Sequence, residues 1–341
     1  MSMLRRTFLG TAAAGAAMAA VGAPAVVRAQ ARTRINFATD WRAQAEHGGF
    51  YQALATGLYE RAGLDVTIRM GGPGSDNQQL MAAGALDMAM ASNNFFALNL
   101  AQAGAPVTSV MASFQKDPQV LMTHPRDDVS SIADMKGKPI LISQSSRNTF
   151  WIWLRSKYGF TDDQIRSYTF NMAPFIADPT AIQQGYLSSE PFKVKQEGGI
   201  DAEVYLLADE GYPSYSAQVL CQNALISGSP QAVQGFVNAT IEGWYTYLYG
   251  DPAPANALIK RDNPDMDDAT IANGIAKMKE FGIVDSGDAV QLGVGAMTEA
   301  RWKEFFDVMV AQGVYPASLD WKKAFTLDFV NKRHGVQLRR A

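Results

Sequence analysis

The run from Ile35 to Ile68 constrains the fold more than any other part of the chain. Ile35-Asn36-Phe37-Ala38 reads as a strand. Phe50, Ala53, Leu54 and Leu58 recur at helical spacing before Gly63 stops the pattern, and Leu64, Val66 and Ile68 alternate with polar residues. A strand, a helix and a strand within about 35 residues make a βαβ unit. Its two strands pair in parallel through a right-handed crossover. The pattern continues through a glycine-rich turn at Gly71-Gly72-Pro73-Gly74, a helix over 75–83 and a strand over 87–91. After a polar stretch at His124-Pro125 a second series begins near Ile132, with a strand over 140–142 and helices over 150–158 and near 178–185. A strand over 204–207 closes that series. The fold class is therefore α/β. Beyond Ser216 the chain turns helical: Val233, Phe236, Val237, Thr240, Ile241, Trp244 and Leu248 form one apolar stripe. Amphipathic helices over 267–281 and 298–311 follow, and all of these need a host to pack on, which the first series supplies.

Arg5-Arg6 precedes Thr7-Phe8-Leu9-Gly10 and an Ala/Gly-rich apolar run to Val27, ending in small residues at Ala29 and Ala31. That is an export-signal layout, and the arginine pair with modest hydrophobicity resembles a twin-arginine leader. An ordinary secretory signal or a retained anchor is the alternative. Residues 1–31 are thus assigned to export and the remainder to the periplasm. About 310 residues then remain, enough for two lobes. The expected division is 32–124 plus 217–341 for the first lobe and 125–216 for the second. No later stretch is long and apolar enough to span a bilayer. A net charge of -3 offers neither a nucleic-acid groove nor a polybasic membrane face. The partner should be small or proteinaceous. Cys221 is the single cysteine, so no internal disulfide forms and its expected role is packing.

Asp40-Trp41-Arg42-Ala43-Gln44-Ala45-Glu46-His47-Gly48-Gly49-Phe50-Tyr51-Gln52-Ala53, then Gly57-Leu58-Tyr59 and Gly63-Leu64-Asp65-Val66, resembles the opening motif of the NMT1/THI5-like substrate-binding family. Ala83-Gly84-Ala85-Leu86-Asp87, Asp134-Met135-Lys136-Gly137-Lys138 and Gln184-Gly185-Tyr186-Leu187-Ser188-Ser189-Glu190-Pro191 continue the likeness in order. The resemblance implies a two-lobed, periplasmic-binding-protein-like type II fold that closes about a hinge on a solute in its cleft. It further implies a receptor serving the permease of an ABC importer. The family includes receptors for thiamine pyrimidine precursors and, more distantly, for sulfonates and nitrate. Its eukaryotic relatives include an enzyme with clustered cysteines and iron. This chain has one cysteine, and His47, His124 and His334 lie in unrelated segments. No metal, cofactor or catalytic activity is therefore expected.

In α/β lobes, ligands sit beyond the carboxyl ends of strands. Three segments have that address. The first holds Asp40, Trp41 and His47 before the helix carrying Tyr51, and Trp41 with Tyr51 would sandwich a planar heterocycle. The second is Gly72 to Ser75 entering a helix, with Ser92 and Asn93 nearby, where free N–H groups would hold an anion or carbonyl. The third runs from Ser143 to Thr149 and adds Arg147, a grip for an acidic substituent. The alternatives are ordinary: a core tryptophan, a tight turn, a solvated arginine. By the resemblance, Glu190 matches a position that reads a ring amino group, a contact that would repel a sulfonate or nitrate. A surface ion pair is its ordinary alternative. Tyr186, Tyr212 and Tyr215 are expected to close the cleft. The favoured solute is an aminopyrimidine related to thiamine precursors, with sulfonate, nitrate and flavin as alternatives.

Overall fold

The computed structural model describes residues 32–72 and 75–340. The expected export signal over 1–31 and the Pro73-Gly74 half of the glycine-rich turn lie outside them. Among the described residues ten strands carry the fold: β1 Thr33–Ala38, β2 Leu64–Arg69, β3 Met88–Ala91, β4 Val107–Phe114, β5 Gln119–Thr123, β6 Ile140–Ile142, β7 Ile165–Ser167, β8 Ile182–Tyr186, β9 Glu203–Leu206 and β10 Ser216–Gln222. They form two sheets, ordered β2-β1-β3-β10-β4 and β7-β6-β8-β5-β9.

The two orders are the same pattern used twice. In each sheet a parallel trio is followed by one antiparallel strand and an outer strand. β1 pairs in parallel with β2 and β3, and β10 runs antiparallel to β3 and β4. β6 pairs in parallel with β7 and β8, and β5 runs antiparallel to β8 and β9. Each antiparallel strand is the first one reached after the chain crosses between sheets. The βαβ unit appears as expected, with β1 hiding Ile35 and Phe37 and exposing Arg34 and Asn36. Its helix is broken into Gly48–Ala55 and Leu58–Arg61 because Gly57 takes φ 71, a left-handed turn that glycine adopts without strain.

Two expectations need correction. The stretch 178–185 is not a helix, because Ile182–Tyr186 is the strand β8, flanked by β5 and β6. The helical turns lie just before it, at Ala173–Ala177. Pairing on both edges overrode a glutamine-rich local propensity. The expected lobe boundary at 124/125 also falls too late. β5 carries the short apolar run Val120-Leu121-Met122 into the second sheet, so the first crossing lies at 115–118. The return crossing, 207–215, leads into β10.

The two crossings run side by side. Leu207 donates its N–H to the Gln119 carbonyl at 3.0 Å. The Arg301 guanidinium donates to the carbonyls of Gln115, Pro213 and Ser214 and lies 4.1 Å from the Tyr215 ring centroid. Beside it Asp117 is buried, and burial pushes its carboxyl up to about 7 against the opposing pull of Arg301. The long helix Pro230–Tyr249 buries the whole expected stripe. It crosses Gly48–Ala55 so closely that a Cβ on Gly243 would stand 2.2 Å from the Gly49 carbonyl oxygen. The C-terminal segments bridge to β4 at Ser109 and Ala112, which makes the first sheet their host. Most buried apolar residues belong to one continuous cluster. One face of the second sheet instead covers a separate small cluster of Met122, Tyr168, Met172, Phe175 and Val194. Among the described residues, no helix is long and apolar enough to cross a membrane.

Candidate functional site

A cleft of about 270 Å³ lies between the two sheets. Its walls are built from the segments that follow the carboxyl ends of parallel strands in both sheets, the address that doubly wound folds reserve for ligands. β1 leads into Asp40 and Trp41, β3 into Ser92 and Asn93, β6 into Ser143, and β8 into Tyr186 and Glu190.

The first wall is cross-linked from within. Asp40 accepts from Ser92 Oγ at 2.5 Å through one oxygen and meets His47 Nε2 at 3.2 Å through the other. Nδ1 of His47 is buried with no protein partner. Asn93 caps the helix Asn94–Gln102, accepting from the Phe95 N–H at 3.2 Å. Glu46, 3 % exposed, accepts from Ser188 Oγ of the opposite lobe, and burial raises its carboxyl above the usual range.

The second wall centres on Glu190. Its carboxylate accepts from the Tyr186 N–H at 2.7 Å and from the Tyr168 hydroxyl at 3.2 Å. Protein surrounds most of it while a part faces the cleft, and the resulting desolvation raises its pKa. Gly185 beneath it leaves room for that approach: a Cβ there would be 3.1 Å from the Glu190 Cβ. Ser143 donates its N–H to Gln184 Oε1 at 2.6 Å, and its hydroxyl joins those of Ser145 and Ser146. The Tyr186 ring faces the cleft, with its hydroxyl 3.4 Å from Ser216 Oγ in β10.

The structure thus brings together Asp40, Trp41, His47, Ser92, Asn93, Ser143, Tyr186 and Glu190. It does not bring Tyr51, Gly72 or Arg147 to them. Tyr51 is fully buried in the first lobe, donating to Asp262 Oδ2 at 3.0 Å, so it cannot form the far face of a sandwich with Trp41. Gly72 only accepts the turn bond from the Ser75 N–H. The following helix starts at Asn77, and its cap Asp76 takes the Gln79 N–H, leaving little for an anion there. Arg147 faces a separate surface pocket with Arg155 and Asp162. The turn Ser145–Asn148 rotates it outward while Ser143 and Ser146 face in. Tyr212 and Tyr215 are buried near the crossings rather than over the cleft, and Tyr215 donates to Asp288 at 2.7 Å. Cys221 is buried in β10 and its thiol is pushed up to about 12 by burial.

Among the lining residues that escaped the sequence reading are Glu46, Gln119, Gln184 and Phe170. Glu46 sits inside the Asp40–His47 run, where a carboxylate beside a histidine was signal enough. Phe170 lies in a short loop after β7 with no signal at all.

The electrostatic character is one-sided. Asp40, Glu46 and Glu190 line the cleft, no lysine or arginine does so among the described residues, and Gln119 Oε1 is a buried acceptor with no protein donor. Such a wall accepts hydrogen bonds and disfavours anions.

The family described as NMT1/THI5 like matches residues 44–255. The riboflavin-binding protein RibY of Chloroflexus aurantiacus is 24% identical over 322 residues, 92% of this chain and 91% of RibY. A formylaminopyrimidine-binding protein of Halalkalibacterium halodurans is 25% identical over 227 residues, 64% of this chain and 68% of that protein. Among solved structures, the periplasmic aliphatic sulphonate binding protein SsuA from Escherichia coli superposes with a TM-score of 0.66 at 14% identity, over 85% of this chain and 91% of that one. At that identity the likeness speaks for the fold.

Proposed function

The chain belongs to the NMT1/THI5-like family, and from that premise we propose that it is the periplasmic solute-binding component of an ABC importer, capturing a thiamine-related aminopyrimidine without chemistry. The observation that carries the ligand class is a lining with three carboxylates, Asp40, Glu46 and Glu190, and no lysine or arginine among the described residues. A neutral or protonated aminopyrimidine offers ring and exocyclic N–H groups to Glu190, Asp40 and Gln119 Oε1, and a flat ring that fits among the aromatic side chains of Trp41 and Tyr186. A sulfonate or nitrate would face three carboxylates with Arg147 turned away. A volume of about 270 Å³ lies just under the roughly 300–1,000 Å³ of clefts that take drug-sized molecules, which suits a solute of one ring.

The capture mechanism follows from the two walls. Glu190 and Asp40 stand on different lobes, so a solute touching both binds the closed form better than the open one, and only such a difference drives closure. The closed form then offers surfaces of both lobes to a permease. A second reading, a flavin, is favoured by the near full-length match to RibY, and it would use the same acceptors and aromatic faces.

A thermal-shift screen against aminopyrimidines, flavins, sulfonates, nitrate and amino acids tests the proposal, because a ligand of the native state raises its apparent stability. Stabilisation by aminopyrimidines is the expected result. Stabilisation by flavins alone selects the second reading, and stabilisation by anions alone overturns both.

A further inference from the structure

Phe170 stands apart from every other large apolar side chain of the second lobe. It is 49% exposed, it lines the cleft, and its backbone sits at φ 62 although it is not glycine. A bulky residue in the left-handed region is a genuine outlier, and such strain gathers at ligand clamps. Its ring centroid lies 5.3 Å from that of Trp41, with planes at 42°. Trp41 follows β1 of the first sheet and Phe170 follows β7 of the second, so the contact exists only while the lobes are together.

Resting on the reading of the cleft as a solute site, we propose that Phe170 and Trp41 form an aromatic latch that sets both closure and selectivity for flat solutes. The spacing decides how it works. A ring sandwiched between two others needs two van der Waals gaps of about 3.5 Å each, more than these rings leave. They therefore touch each other at the mouth and roof the cavity, and a planar solute lies beneath them against their inner edges. A thick or tetrahedral head group lifts the roof and breaks the contact. Tyr168 supports the latch from behind: its ring is 5.1 Å from Phe170, and its hydroxyl donates to Glu190. The carboxylate that meets the solute and the ring that closes over it are thereby held by one tyrosine.

The test separates a latch from a residue that merely packs. The probes are 4-amino-5-hydroxymethyl-2-methylpyrimidine and riboflavin, titrated calorimetrically into wild type, Phe170→Gly and Phe170→Ala. Glycine suits the backbone at 170, so Phe170→Gly is expected to melt at or above the wild-type temperature while binding the probe roughly tenfold or more weakly. A packing residue would lose stability on the same change. Probe binding within about twofold of wild type in Phe170→Gly overturns the latch. If neither probe binds wild type, the ligand class fails and the latch is judged without ligand. The Trp41 contribution to fluorescence, wild type minus Trp41→Phe, should shift to longer wavelength in the Phe170→Ala background. An unshifted contribution overturns the latch independently of any ligand.

Discussion

The two lobes share one strand order but hold their cleft residues in different ways. In the first, Asp40, His47 and Ser92 are bonded to one another above the continuous apolar core that the helix Pro230–Tyr249 seals. In the second, Glu190 and Phe170 hang on Tyr168, which belongs to the small separate cluster with Met122, Met172, Phe175 and Val194. The first wall is insulated from its core by its own hydrogen bonds. The second rests directly on a few side chains, so packing changes there reach the ligand.

That contrast can be broken by a pair of core truncations. Phe175→Ala and Phe236→Ala each remove a fully buried ring, and each is expected to cost about 3–5 kcal/mol in denaturant unfolding. Only Phe175→Ala should also weaken solute binding in conditions where both proteins are folded. Equal loss of affinity in the two would show that the walls are supported alike.

Next in size is Glu190→Gln, which keeps the shape and loses the charge. Calorimetry with an aminopyrimidine should show a loss of about 1.5–3 kcal/mol, the value of a hydrogen bond to a charged group. Gln retains an acceptor for the Tyr186 N–H, so the melting temperature should change little.

Between the lobes, Asp117→Asn reads the crossing itself. The folded carboxyl titrates at about 7, above its unfolded value near 3.8. Its stabilising protonation is complete below the unfolded value and is lost as pH rises through about 7. Wild type should therefore lose stability between pH 5 and pH 8 relative to Asp117→Asn, by roughly 2–3 kcal/mol in urea melts at the two pH values. A difference independent of pH would mean that Arg301 keeps the carboxylate charged throughout.

The smallest effect belongs to Arg147→Ala. With its guanidinium outside the cleft, binding of an aminopyrimidine should stay within about twofold. If Arg147→Ala weakened binding more than Glu190→Gln, the ligand would be an anion reached by a different cleft geometry.

Much of the fold could be read from periodicity. The βαβ opening, the stripe from Val233 to Leu248 and the caps Asp267 and Thr298 all mark elements where local pattern and tertiary role agree. β5 and β8 could not be read that way. Both sit inside a sheet, and their pairing came from strands far away in the chain, which in β8 overrode a glutamine-rich local preference. In the site, residues at strand ends were legible because topology fixes where ligands bind. Direction of the side chain was not: Tyr51 and Arg147 have suitable chemistry at suitable addresses and point elsewhere. Phe170 was invisible, since its role comes from a backbone turn and a partner on the other lobe.

The placement of β10 also bears on how the molecule comes into being. It lies between β3 and β4, yet it is synthesised after the whole second sheet. A nascent chain stopped short of residue 216 can complete the second sheet, but its first sheet has a gap, with β3 and β4 each exposing an unpaired edge. Those edges are the templates on which chains join one another by mistake. The first lobe, though it begins the sequence, is the last to be finished, and the interval between residues 114 and 216 is when the growing protein is most exposed to aggregation.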